Sequence, residues 1–213
     1  RNNSGCVDHN ISRMDLTISN GKPETISRWL TIFSAEPCVP LDPEHYSNRQ
    51  PYVGQLGGGK MIEYNDSTLL VTVGDYDRNG LNQTETFSQD PEIPYGKTIL
   101  MDKESGEWSI YTSGHRNILG IYESKDGTIW AAENGPRGGD ELNLIKEGAN
   151  YGWPEVSYGI WYLEQYIIGG NKIRGRHTNY KKPVYSWIPS IAPNNLVRIE
   201  GDKFDHWKGD LII

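Results

Sequence analysis

The sequence predicts an all-β fold assembled from repeated antiparallel hairpins. Three observations predict it. First, turn formers are dense: 24 Gly and 12 Pro stand among 213 residues, which favours many short strands over long helices. Second, three segments share one shape, a strand, a turn signal and then a more apolar strand. Third, no stretch carries the periodicity of a long helix, and Asp140–Glu147 reads as a helical turn at most.

From residue 10, Ile11, Met14, Leu16 and Ile18 alternate with polar neighbours, so residues 1–24 read as one or two strands. Residues 28–34 (R-W-L-T-I-F-S) are rich in β formers and read as a strand. Residues 35–54 hold four prolines and little periodicity, and read as a loop. The three similar segments follow. They are residues 61–74 (M-I-E-Y-N-D-S-T-L-L-V-T-V-G), 120–133 (G-I-Y-E-S-K-D-G-T-I-W-A-A-E) and 196–213 (L-V-R-I-E-G-D-K-F-D-H-W-K-G-D-L-I-I). Their N-D, D-G and G-D steps suit hairpins because Gly, Asn and Asp tolerate positive φ. Their second strands are apolar enough to be buried on both faces. Hairpins separated by long loops build propeller blades, and also sandwiches and barrels. Leu211-Ile212-Ile213 places the last residues inside a strand, so the chain reads as a single β-propeller-type domain over 1–213, incomplete at its C-terminus.

The net charge of −7 argues against a nucleic-acid partner, since a phosphate backbone attracts clustered Lys and Arg. Only Lys181–Lys182 are clustered. No run approaches the roughly 20 apolar residues that span a bilayer. Arg1-Asn2-Asn3 is neither an initiator Met nor a signal peptide, which reads as a processed or trimmed product. The 2 cysteines, Cys6 and Cys38, are either bridged or free thiols. With N-x-S/T sites at Asn10, Asn65 and Asn82, they point to a periplasmic or extracellular, oxidising location.

The chemistry concentrates between Gly114 and Tyr158. Glu133-Asn134-Gly135-Pro136-Arg137-Gly138-Gly139-Asp140-Glu141 follows directly on a strand. Three glycines and a proline free backbone carbonyls to turn inward, and three carboxylates lie beside them. Calcium takes six to eight oxygens, many of them carbonyls, so such a loop suits it; the alternative is an ordinary Gly-rich turn with solvated acids. His115-Arg116-Asn117 gathers directed donors that can grip carboxylate or quinone oxygens, or else is a surface turn. In Asn150-Tyr151-Gly152-Trp153-Pro154, Trp153 reads as a core plug. Gly57-Gly58-Gly59-Lys60 lacks the spacing of a phosphate loop.

R-N at 116–117, then E-x-G-P-R-G-G-D-E-L-N-L-I from 133, G-x-N-Y-G-W-P from 148 and S-Y-G from 157 resemble the signature of the glucose/sorbosone dehydrogenase family. The likeness is strongest over residues 114–160. It continues through residues 184–193 and 204–213, reaches back to 69–75 and 95–97, and is absent from the first 50 residues. The resemblance implies a six-bladed β-propeller that binds pyrroloquinoline quinone (PQQ) and calcium and oxidises the C1 hydroxyl of a sugar or other small polyol. It implies that Arg116 and Asn117 contact the quinone. It implies that the carbonyls of Gly135 and Pro136 hold the calcium that polarises it, with Asn134 beside that site. Glu141 and the carbonyl of Tyr151 match a second, structural calcium site, with Asp140 supporting it.

Two departures stand out. The family's general base is a His, and alignment of the glycines puts Leu56 in its place; Leu cannot accept a proton. Asp75 and His45 are the substitutes considered. The basic residues that clamp the quinone carboxylates belong to later blades, leaving only the Lys and Arg of 172–182 or a second chain that completes the propeller. The reading is therefore a PQQ- and calcium-dependent aldose dehydrogenase; the alternative is a non-catalytic calcium-binding propeller of the same family.

Overall fold

The structure, a computed structural model, describes residues 5–41, 54–81, 85–162 and 175–213. His45, Asn82, Lys172 and Arg174 lie outside the described residues.

The N-terminal region carries six short strands: β1 (Cys6–Val7), β2 (Asn10–Arg13), β3 (Leu16–Ser19), β4 (Lys22–Ile26), β5 (Leu30–Ser34) and β6 (Val39–Pro40). They pair antiparallel as β1–β6, β2–β5 and β3–β4. The stretch read as loop from residue 35 thus contains β6. Cys6 and Cys38 form a disulfide that closes a sequence separation of 32 residues beside the β1–β6 pair. In the chain-entropy account, a loop of that size is worth about 3–4 kcal/mol. Reduction is expected to lower the melting temperature by roughly 10 °C at 2–4 °C per kcal/mol. A melt unchanged by reductant, or two titratable thiols in unfolded, unreduced protein, would contradict this.

Two four-stranded meanders follow. The first is β7 (Gly58–Glu63), β8 (Thr68–Val73), β9 (Lys97–Asp102) and β10 (Trp108–Thr112). The second is β11 (Ile118–Glu123), β12 (Ile129–Glu133), β13 (Asp140–Leu144) and β14 (Tyr185–Trp187). The turns form as their residues dictate. Asn65 Oδ1 accepts from Ser67 N at 3.0 Å in the β7–β8 turn. Asp126 Oδ1 accepts from Thr128 N at 3.0 Å, and Gly127 takes φ +78°. The first two repeated segments are therefore hairpins.

The third segment differs. Its strands shrink to β15 (Val197–Arg198) and β16 (Leu211–Ile212), with a 3-10 stretch at Asp202–Trp207 between them. Ile212 and Ile213 are exposed, against the expectation that this strand is buried on both faces. Asp140–Glu147 is also not helical, because Glu141 pairs with Glu133 on one side and Ser186 on the other. Two-sided ladder bonding outweighs a weak local preference.

The sheets stack face to face, the packing of propeller blades. Period-two alternation divides each inner strand between two interfaces. On β8, Val71 and Val73 face the N-terminal region and pack with Ile11, Phe33, Ala35 and Val39. Leu70 faces the second meander and packs with Ile118, Ile121, Ile129 and Ala131. Ala132 and Leu142 then meet Leu196 at the far side. The neighbouring inner strands β7 and β11 lie alongside each other. Hydrogen bonds tie the two meanders together at one end, from Gly58 N at the start of β7 to Asn117 Oδ1 at 3.0 Å and from His115 N to Gly96 O, just before β9, at 3.1 Å. That common end carries the polar residues described next. No helix among the described residues is long and apolar enough to cross a membrane.

Candidate functional site

The loop entering β11 holds His115, Arg116 and Asn117, all buried rather than displayed on a surface turn. Glu133, the last residue of β12, organises them. Its Oε2 lies 2.9 Å from His115 Nδ1, and its Oε1 accepts from Arg116 N. His115 Nε2 reaches Thr112 Oγ1 at 2.9 Å, and the ring stacks on Tyr151 at 4.6 Å. A buried acid is thus satisfied by a histidine and a backbone amide, as burial requires.

Arg116 projects across the loop that leaves β12. Its Nη1 donates to Asn134 O at 3.1 Å and Gly135 O at 3.0 Å, and the guanidinium lies 5.6 Å from the centre of the Trp153 ring. Arg116 Nε and Asn134 Oδ1 are buried without a partner. Asn117 aims its Oδ1 at Gly58 N. Pro136 O already accepts from Gly139 N at 2.9 Å and from Ser190 Oγ at 3.2 Å. Asp140 fixes this loop from below: Oδ1 accepts from Gly135 N, while Oδ2 accepts from Ile191 N and Ala192 N.

Asp75, just beyond β8, is fully buried. Trp153 Nε1 donates to its Oδ2 at 2.7 Å and Asp77 N to its Oδ1 at 2.8 Å. Burial pushes its carboxyl up to about 6, with the nearby Arg116 charge opposing that rise. Trp153 is a core plug, as its burial shows, and also the donor to this acid. Leu56 sits half-buried in the loop entering β7, its carbonyl accepting from Tyr76 N at 3.2 Å.

Glu141 faces Glu133 across the β12–β13 ladder. Asn143 Nδ2 bridges them, at 3.3 Å from Glu133 Oε2 and 3.2 Å from Glu141 Oε2. Burial first, and then the Glu133 charge, push the Glu141 carboxyl up to about 8. The Tyr151 hydroxyl is occupied by Leu144 O and Lys146 N. A cavity of about 10 Å³ is lined by Glu133, Glu141, Tyr151, Gly114, Arg116 and Trp153, among others. That is room for one ion or water, far too little for a sugar or a tricyclic quinone. Among the described residues, no group of three or more His, Cys, Asp and Glu side chains is placed to hold a metal by itself, so carbonyl or amide oxygens would have to complete any coordination shell.

The structure therefore brings together Arg116, Asn117, Asn134, Gly135, Pro136, Glu141 and Tyr151. Arg176, Lys181 and Lys182 lie in a separate stretch with exposed or half-buried side chains. Sequence reasoning missed Glu133 as an organiser, although an acid closing the apolar strand I-W-A-A-E was the available signal.

The family model for glucose/sorbosone dehydrogenase matches residues 43–213. The chain is 30% identical to aldose sugar dehydrogenase YliI of Escherichia coli over 176 residues, 75% of this chain and 45% of that protein. A crystal structure of a glucose dehydrogenase superposes with a TM-score of 0.76 at 23% identity, covering 99% of this chain and 58% of that one. The PQQ-bound aldose sugar dehydrogenase of Streptomyces coelicolor superposes with a TM-score of 0.62 at 25% identity, covering 92% of this chain and 51% of that one. These likenesses identify the stacked meanders as part of a β-propeller. The chain spans about half the length of the curated relatives it matches. With four-fifths of its length inside the family match, the chain belongs to the glucose/sorbosone dehydrogenase family.

Proposed function

We propose that this chain is the blade-bearing part of a PQQ- and calcium-dependent aldose dehydrogenase that oxidises a sugar C1 hydroxyl. The observation that carries the proposal is the buried Arg116 guanidinium, with an unpartnered Nε, set beside the unpartnered Asn134 Oδ1 at the common end of two blades. These atoms fit a polar, multidentate ligand lying over the loop. Arg116, Asn117 and Asn134 would hold the quinone. The facing acids Glu133 and Glu141, bridged only by an amide, fit a calcium ion, with the Tyr151 carbonyl as a further oxygen. Gly135 O has one acceptor position beyond its bond from Arg116, whereas Pro136 O would have to release Ser190 Oγ to bind a second calcium.

When bound, the quinone supplies the two-electron acceptor and calcium polarises it. The chain itself supplies orientation and charge. Arg116, held in a fixed plane by Asn134 O, Gly135 O and the Trp153 face, would present its positive charge to a bound quinone. Trp153 and Asp77 N fix Asp75 beneath it. Further blades, from the same polypeptide or a second chain, would pack on the open faces that expose Leu16, Ile18 and Leu30 at one side and Phe204, Trp207 and Ile212 at the other. The Cys6–Cys38 bridge fits a periplasmic or extracellular location.

The second reading is a non-catalytic, calcium-binding propeller, favoured by Leu56 in the position of the family base. Calorimetric titration of calcium-loaded protein with PQQ, followed by dye-linked aldose oxidation, separates the two. Micromolar binding with turnover supports the dehydrogenase; absence of binding rejects it in favour of the binding module.

A further inference from the structure

His115 stands behind the small cavity between Glu133 and Glu141 rather than in its wall, and it is fully buried. Its ring belongs to a polar chain that crosses from one meander to the next. Thr98 Oγ1 on β9 lies 2.5 Å from Thr112 Oγ1 on β10, and Thr112 Oγ1 lies 2.9 Å from His115 Nε2. His115 Nδ1 then lies 2.9 Å from Glu133 Oε2 on β12. Thr98, Thr112, His115 and Glu133 are all buried. The acid sets the direction of the last link. Glu133 Oε2 also accepts from Asn143 Nδ2 at 3.3 Å, and a carboxylate only accepts, so His115 Nδ1 carries a proton. In the neutral ring, Nε2 is then the acceptor for the Thr112 hydroxyl.

The arrangement bears on both oxygen sources assigned above to the cation. The Glu133 carboxylate holds Arg116 N on Oε1, and His115 and Asn143 on Oε2. A carboxylate offers about four acceptor positions, so about one stays free for an ion. Arg116 N is fixed by the backbone, and Asn143 is shared with Glu141 at 3.2 Å. His115 is therefore the side-chain donor that serves Glu133 without serving Glu141. The second source is the Tyr151 carbonyl. The imidazole stacks on the Tyr151 ring at 4.6 Å with 28° between the planes. The residues preceding His115 hold the Tyr151 backbone, through Tyr151 N on Ser113 O at 2.9 Å and Trp153 N on Gly114 O at 3.0 Å. Gly114, at φ +73°, permits that approach: a Cβ there would stand 2.1 Å from Asn150 Oδ1.

We propose that His115 is the positioning residue of the cation site, setting the Glu133 carboxylate and the Tyr151 turn for calcium without touching the ion. The inference rests on the calcium reading above. Partners behind a metal ligand control affinity in this way, by about 10–100-fold. What the site requires of this position is a donor where Nδ1 stands, and the Thr112 bond holds the ring in that orientation.

Two substitutions separate the two ends of the ring. The Asn amide nitrogen falls where Nδ1 stands, so His115→Asn keeps the donor to Glu133 and gives up Thr112. The Gln amide nitrogen falls where Nε2 stands, so His115→Gln keeps Thr112 and gives up Glu133. Calcium is titrated by calorimetry into chelator-stripped wild type, both variants and Glu141→Gln, the last defining which binding event belongs to this site. His115→Gln is expected to bind calcium about 10–100-fold more weakly, with His115→Asn within about threefold of wild type, although both melt lower than wild type in chelator. A role in the fold alone would lower both melting temperatures and leave both affinities unmoved. That result overturns the inference, as does an equal loss of affinity in the two variants. Should neither variant fold, Thr112→Val takes their place, since it keeps the imidazole and removes its Nε2 partner. It is expected to bind calcium about tenfold more weakly, and an affinity within about threefold of wild type overturns the inference. A wild type lacking any calcium binding that Glu141→Gln removes defeats the calcium reading and this inference with it. A wild type that binds calcium no better than His115→Gln defeats this inference alone.

Discussion

Calcium is expected to raise the melting temperature by roughly 5–10 °C at 100 times its dissociation constant, and Glu141→Gln is expected to abolish that response. The first figure follows from linkage: binding at that excess adds about 2.7 kcal/mol, and a chain of this size gains about 2–4 °C per kcal/mol. The second follows from the site. Glu141 is a fully buried carboxyl facing Glu133 and close to Asp140, with Asn143 as its donor. Burial and the facing Glu133 charge hold it at about 8 in the folded protein, above the ordinary glutamate value of 4.5. The folded state therefore holds a proton that the unfolded state has released between those values. In chelator, the contribution of Glu141 to stability is fully present below about 4.5 and is lost as pH rises through about 8. In calcium the dependence reverses, because the ion requires the deprotonated carboxylate. Glu141→Gln carries no charge, so in chelator at pH 8 to 9 it should melt higher than wild type, while in calcium it should melt lower. Thermal melts at several pH values check both signs. A wild-type melting temperature indifferent to chelator would remove calcium from this cavity.

What the sequence disclosed was local. The N-D-S and D-G turns and the alternation of M-I-E-Y and T-I-W-A announce hairpins because turn chemistry and side-chain period lie within ten residues. Arg116-Asn117 and the glycine-rich loop were legible for the same reason. The strand β13 was not, since its extended form depends on partners at residues 129–133 and 185–187 rather than on D-E-L-N-L itself. Nor was the environment of Asp75, whose indole donor lies 78 residues away, or the meeting of His9 with Tyr76 across 67. The same distance effect explains why the two cysteines left pairing open in the sequence and closed in the structure. In the last three residues, L-I-I looks like a buried strand by composition, yet among the described residues β16 pairs only with β15 and leaves Ile212 exposed.

Arg116 is the position where charge and geometry can be separated. Arg116→Lys retains a cation near Asp75 and Asp77, whose carboxyls the Arg116 charge pulls down against the rise caused by burial. It loses the planar fork that reaches Asn134 O and Gly135 O and the stack on Trp153. Its expected signature is a quinone affinity about 10–100-fold weaker, the equivalent of about 1.4–2.8 kcal/mol, with a small change in melting temperature. Arg116→Met removes the charge as well. Asp75 is then buried without its cation, and breaking such an arrangement costs about 3–5 kcal/mol, so this variant should melt roughly 10 °C or more below wild type at neutral pH. Part of that loss should be recovered toward pH 5, where Asp75 takes up a proton more readily folded than unfolded. Arg116→Lys binding PQQ as tightly as wild type would show that the guanidinium serves the fold alone. Equal melting temperatures for the Lys and Met variants would show instead that Asp75 and Asp77 draw their compensation from hydrogen bonds, with Trp153 and Asn79 as the donors.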